Sequence, residues 1–183
     1  MDKFDSQRRK IILSGCAAAG LALLPGLAEA SLSAARPRIL TLSNMHTGET
    51  MKTEFFNGQT YNQSELARLN HFFRDYRANK VKNIDPHLFE QLYRLQVMLG
   101  TRKPVQLISG YRSLATNNKL RSTGSGVAKH SYHTLGQAMD FHIEGVQLAM
   151  VRSAALKMGA GGVGYYPKSN FVHIDTGPVR HWQ

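Results

Sequence analysis

Apolar and polar positions change their rhythm several times along this chain, and each change marks an element. Ile39-Leu40-Thr41-Leu42 and Met51-Lys52-Thr53-Glu54-Phe55-Phe56 are two β-compatible stretches. The segment from Asn44 to Gly48 between them is turn-prone, so a hairpin is predicted over Arg38–Phe56. The period then becomes helical: Leu66, Leu69, Phe72, Phe73 and Tyr76 recur at three- and four-residue spacing, and Asn62 with Glu65 fits a capping box. A second helix is predicted from Asp85 as cap and Pro86 as first residue, with a stripe of Leu88, Leu92, Leu95 and Leu99 that stops at Gly100. Both stripes read as core. Beyond Gly100, Val105–Ile108 and Ala138–Ile143 read as strands, Gly145–Met158 as a helix, and Gly162–Tyr166 with Phe171–Thr176 as a closing pair of strands. The polar stretch between Tyr111 and His130 reads as a long loop. Helices early and short strands later predict an α+β domain with a small antiparallel sheet and flanking helices.

The first thirty residues follow a different logic. Arg8-Arg9-Lys10 precedes Ile11-Ile12-Leu13, an apolar run continues to Leu24, and Ala28-Glu29-Ala30 supplies a small-residue exit. That order predicts a signal peptide of the twin-arginine type over residues 1–30, with cleavage before Ser31 and export to the periplasm. The stretch from Ile11 to Leu24 is too short for a membrane span, which takes roughly 20 apolar residues. Leu13-Ser14-Gly15-Cys16 offers an alternative, a lipobox that would lipidate Cys16. Residues 31–183 then form one domain, with no room for a second.

Cys16 is the only cysteine, so the processed chain has no disulfide and any metal site must use His, Asp or Glu. Lys and Arg number 23 against 12 Asp and Glu, a net charge of +11. The signal barely changes that balance. Such charge suits a polyanionic partner or simply a solvated surface. An exported protein meets anionic wall polymers and membrane surfaces rather than nucleic acid.

Candidate chemistry is densest in Ser131-Tyr132-His133-Thr134-Leu135-Gly136-Gln137-Ala138-Met139-Asp140. His133 and Asp140 lie seven apart, with Gly136 between them to let the chain turn. Asp140 and His142 are two apart on a predicted strand and share a face, as do His173 and Asp175. These groups could converge on a two-His, one-carboxylate zinc site with a fourth position open. The spacing alone leaves ordinary strand histidines equally open.

Three segments carry a resemblance. Ser109-Gly110-Tyr111-Arg112-Ser113 looks like the S-G-Y-R-S stretch of the zinc peptidases that include D-Ala-D-Ala carboxypeptidases and murein endopeptidases, proteins with a hedgehog-like fold. Ser131–Asp140 matches their S-x-H-x-x-G-x-A-x-D pattern at every fixed position, and Phe171-Val172-His173 matches the last ligand segment. Asn70–Arg77 and Gly162–Tyr166 look like the periplasmic murein endopeptidases of the MepK type. The resemblance implies His133, Asp140 and His173 as ligands of Zn2+. It implies Arg112 as the group that steadies the substrate carbonyl or a nearby carboxylate. It implies hydrolysis of amide bonds in peptidoglycan cross-links, including meso-diaminopimelate 3-3 links. A D,D- or L,D-carboxypeptidase acting on stem peptides, or a non-catalytic wall-binding module, are the alternatives.

At the general base the chain departs from its relatives: Asn170 and Phe171 stand where many have a glutamate or a histidine. Asp175, about 7 Å along the strand from His173 at roughly 3.3 Å per residue, is the expected catalytic substitute. Its other role would be to orient a ligating histidine. His142 and His181 follow it. Tyr132, Tyr165, Tyr166 and Trp182 are candidates for lining a groove or for the core.

Overall fold

The hairpin forms where the alternation places it. In the computed structural model, which describes residues 36–124 and 127–183, β1 (Arg38–Asn44) pairs antiparallel with β2 (Thr50–Phe56). Asn44 closes the turn: its N–H donates to Glu49 O at 2.8 Å, and its side-chain oxygen accepts from the amides of His46 and Thr47. This is the local bonding that makes Asn a turn former. The first helix, α1 (Gln63–Phe72), has Asn62 as its cap, accepting from Glu65 N–H at 3.3 Å. Only half of the capping box forms, because the Glu65 carboxylate turns to Thr53 Oγ1 at 2.6 Å and to Arg68. Helix and hairpin are thereby tied together. The second, α2 (Pro86–Met98), starts at Asp85, which accepts from His87 N–H, and ends at Gly100 with φ +61°.

The segment expected as a long loop holds a helix. This is α3 (Leu114–Ser122), capped by Ser113 Oγ on Thr116 N–H. It has no apolar stripe to announce it, since the residues it buries are Thr116 and Asn117. The chain continues through β3 (Val105–Ser109), which precedes α3, then β4 (Ala138–Ile143), α4 (Leu148–Met158), β5 (Gly162–Tyr166) and β6 (Phe171–Asp175). Helix α4 begins three residues later than expected, after a turn through Gly145 at φ +71°. A short last strand, β7 (Arg180–Trp182), has no counterpart in the sequence reading.

All seven strands form one sheet in the order β2-β1-β3-β4-β6-β5-β7. The α+β class holds, with a sheet larger than expected and mixed, because β1 runs parallel to β3 and β5 to β7. Alternation then divides the sheet. Met139, Phe141 and Ile143 of β4 and Val172 and Ile174 of β6 join the leucines and phenylalanines of α1 and α2 in one buried cluster. Each fully buried side chain of that kind contributes roughly 1.5–3 kcal/mol. Asp140, His173 and Asp175, at the intervening positions, point to the opposite face. The segment with the expected signal and Cys16 lies outside the described residues. Among the described residues no helix is long and apolar enough to cross a membrane.

Candidate active site

The face of the sheet turned away from α1, α2 and α4 carries the candidate chemistry. Asp140 and His173 are direct neighbours across β4 and β6. His133 arrives from a short 3-10 turn, Tyr132–Leu135, that leads through Gly136 into β4. The three ligand atoms meet: His173 Nδ1 lies 2.8 Å from Asp140 Oδ1, and His133 Nε2 lies 3.2 Å from both that oxygen and His173 Nδ1. All three residues are buried.

The opposite ring nitrogens are already committed. His133 Nδ1 is 2.7 Å from the carbonyl of Gly110, which can only accept, so that nitrogen carries the proton. His173 Nε2 is 3.0 Å from Asp175 Oδ2 and donates to it. Two imidazole lone pairs and one carboxylate oxygen therefore converge on a single point. Ligands around tetrahedral zinc, with bonds of about 2.0–2.1 Å, stand roughly 3.3 Å apart, close to the spacing found here. A divalent cation fits this donor set.

Electrostatics around the cluster are set by burial and by its own members. Burial pushes the His133 imidazole below its ordinary pKa, and Arg112 and His173 add to that. Burial alone would raise Asp140, but His133 and His173 outweigh it and hold the carboxyl well below the usual range. Burial likewise opposes charge on His173, yet Asp140 and Asp175 on its two sides raise its pKa.

Arg112 leaves β3 just after a register shift between Leu107 and Ser109 that re-aims the chain, a common use of such irregularities beside active sites. Its Nη2 donates to Asp140 Oδ2, the oxygen not shared with the histidines, and its Nε to Ser109 Oγ at 2.8 Å. The guanidinium is thus fixed at the edge of a cleft of about 210 Å³ lined also by His130, Tyr132, Tyr166, Phe171, Arg180 and Trp182. Tyr166 stacks on Phe171 at 4.5 Å and accepts from the Trp182 indole N–H at 2.7 Å. Tyr132, Tyr166 and Trp182 thus form the wall, whereas Tyr165 packs towards the core beneath Arg152.

Asp175 is not where a cleft carboxylate was expected. It lies behind His173, fully buried, with both oxygens occupied by His173, Arg180 and the amides of Gly162 and Gly177. The reason is the pleat: Asp175 shares His173's face but pairs with Ala138, past the end of the cleft. His142 and His181 do not line the cleft either. Arg180 and His130 do, and the sequence reading passed over both. Asp175 and Arg180 flank Gly177-Pro178, and that turn is the local signal that could have paired them.

Residues 32–182 match a family model described as peptidoglycan L,D-endopeptidase MepK. The chain belongs to that family. A relative named peptidoglycan L,D-endopeptidase MepK from Escherichia coli K12 is 71% identical over 182 residues, covering all of both chains. The protein of that name from Shigella flexneri matches equally, and a probable peptidoglycan L,D-endopeptidase MepK from Haemophilus influenzae is 45% identical over 184 residues, covering 100% of this chain and 99% of its own. Every buried group of the cluster thus sits in a chain aligned from end to end with MepK-family peptidases.

Proposed function

We propose that this protein is a zinc-dependent murein endopeptidase that hydrolyses amide bonds in peptidoglycan cross-links, including meso-diaminopimelate 3-3 links. The observation that carries the reading is the convergence of His133 Nε2, Asp140 Oδ1 and His173 Nδ1 beside a cleft in a chain of this family. Residues 1–30 act as a twin-arginine export signal that delivers the protein to the periplasm, where its substrate is.

His133, Asp140 and His173 would hold the zinc, which when bound would supply a water of pKa about 7 and polarise the scissile carbonyl. Arg112 supplies fixed positive charge where the oxyanion develops. Two of its nitrogens are held by Asp140 and Ser109, so it needs no reordering during the reaction, and Nη1 carries no hydrogen bond to the described residues. Asp175 orients His173 rather than moving protons, because five donors surround its carboxylate and none of it reaches the cleft. His130 is the one cleft-lining imidazole outside the ligand set among the described residues, which makes it the candidate proton acceptor. Tyr132, Tyr166, Phe171 and Trp182 offer an apolar wall to the stem peptide.

Isolated sacculi test the reading. The processed protein should release soluble muropeptides, and a chelator should abolish that release. His133→Ala and Asp140→Ala should each lose the zinc, since a three-ligand site holds metal poorly with two. Release that continues in the presence of chelator, or full zinc occupancy in either variant, would sink it. His130→Ala should keep zinc while activity falls by roughly 10²-fold or more.

A further inference from the structure

The core does not explain why the chain returns to lay β7 beside β5. No side chain beyond Ile174 belongs to the buried apolar cluster, and three residues of edge strand add little pairing. What β7 brings is a set of side chains aimed at the candidate metal centre.

Arg180 reaches Asp175 with a two-point fork, Nη1 to Oδ1 at 2.9 Å and Nη2 to Oδ2 at 2.7 Å, while Nη1 also meets Pro178 O at 3.0 Å. Its guanidinium is held between the rings of Tyr132 and Trp182, at 4.9 and 5.1 Å. The other donors to Asp175 are unevenly shared. Gly162 N–H and Gly177 N–H both fall on Oδ1, at 3.0 and 2.9 Å. Oδ2, the oxygen that receives the His173 ring, has only Arg180 as a second partner. The fork therefore fixes the rotation that keeps Oδ2 in line with His173 Nε2. Backbone shape protects this arrangement. A Cβ on Gly162 would stand 2.4 Å from Arg180 Nη1 and 2.5 Å from Asp175 Oδ2, one on Gly177 2.4 Å from the Tyr132 ring, and one on Gly164 2.7 Å from the Trp182 indole.

We infer that Arg180 is a positioning residue of the metal centre: through Asp175 it fixes the tautomer and ring orientation of His173, so that Nδ1 presents its lone pair to the metal. The last strand is thus part of the site's construction rather than of the core. The inference rests on the zinc-site reading above.

A double-mutant cycle on the full processed chain tests it, with zinc affinity measured by competition against a chromophoric chelator. Arg180→Gln should weaken zinc binding by about 10- to 100-fold, the usual cost of losing an outer partner of a ligating histidine. Arg180→Lys, which keeps the charge and loses the fork, should fall between it and wild type. Activity of both should recover with excess zinc, which a merely structural role would not give. Asp175→Asn should weaken binding by a similar factor, and Asp175→Asn/Arg180→Gln should bind no more weakly than Asp175→Asn alone. Unchanged affinity in Arg180→Gln, or losses that multiply in the double variant, would overturn the inference. If Arg180→Gln alone fails to melt cooperatively, the double variant, which buries no unpaired charge, decides the matter against Asp175→Asn by the same criterion. Wild-type protein that bound no zinc would instead overturn the site reading itself.

Discussion

At the scale of single residues, the fixed positions of the sequence motifs acquire reasons. Gly136 has φ +74°, and a Cβ there would lie 2.5 Å from the carbonyl of Asn83. Its own carbonyl accepts from Asp85 N–H at 2.9 Å, so the turn between His133 and Asp140 is pinned to the cap of α2. Gly110 is equally confined, with a Cβ 2.5 Å from Phe73 O, and this closeness is what lets its carbonyl hold His133. Left-handed backbone costs a non-glycine residue about 1–2 kcal/mol even in open space. Gly136→Ala should therefore lose at least about 2 kcal/mol in denaturant unfolding and weaken metal binding as His133 shifts. A variant as stable as wild type would show that the turn tolerates a side chain. That His133, Asp140, His173 and Arg112 come together was legible because each sits inside a patterned segment. Asp175 was legible as a residue that matters but not in its placement: a two-residue separation says which face a side chain shares, not whether that end of the face is open or filled.

At the scale of elements, the strap from Gly110 to Ser113 shows how the site depends on parts the sequence hid. Tyr111 N–H donates to Phe73 O at 2.8 Å, Arg112 N–H to His133 O at 3.1 Å, and Ser113 N–H to Asp75 Oδ2 at 2.9 Å. Asp75 also takes the amides of Arg77 and Ala78 on its other oxygen, so one buried carboxylate joins the turn after α1 to the start of α3, with Arg112 between. The sequence reading could not see this, because α3 buries polar residues and its anchor lies 38 positions upstream. Burial alone would raise the Asp75 carboxyl, but hydrogen bonds from Thr116 and Ser113 outweigh it and hold the pKa below its ordinary value. A folded-state value below the unfolded one means that ionised Asp75 stabilises the fold at neutral pH, and that this part is lost as pH falls below about 4. Asp75→Asn should thus cost about 1–3 kcal/mol near pH 7, with a gap from wild type that narrows as the medium is acidified. It should also reduce muropeptide release at saturating zinc, because Arg112 is less firmly held. A gap that widened in acid would reverse the assigned sign.

At the scale of the whole molecule, helices α1, α2 and α4 and the site occupy opposite faces of one sheet, and that division governs what metal removal should do. Apart from α3 and β7, the elements and the α+β class followed from periodicity, whereas the strand order β2-β1-β3-β4-β6-β5-β7 did not, since nothing local specifies which edges meet across the chain. The order matters for stability. Leu40, Leu42, Phe55, Phe89, Leu92 and Phe141 are buried without any contribution from the ligand cluster, so a core exists before metal arrives. Chelated protein should accordingly still unfold in one cooperative transition. Metal binding to the native state alone adds RT ln(1 + [L]/Kd), about 2.7 kcal/mol at a hundredfold excess over Kd. For a domain of this size that corresponds to a rise in Tm of roughly 5–10 °C. Calorimetry across a zinc titration checks both statements. A metal-free chain with no cooperative transition would mean that the three ligands hold the fold together, and the centre would then have to be read as structural rather than catalytic.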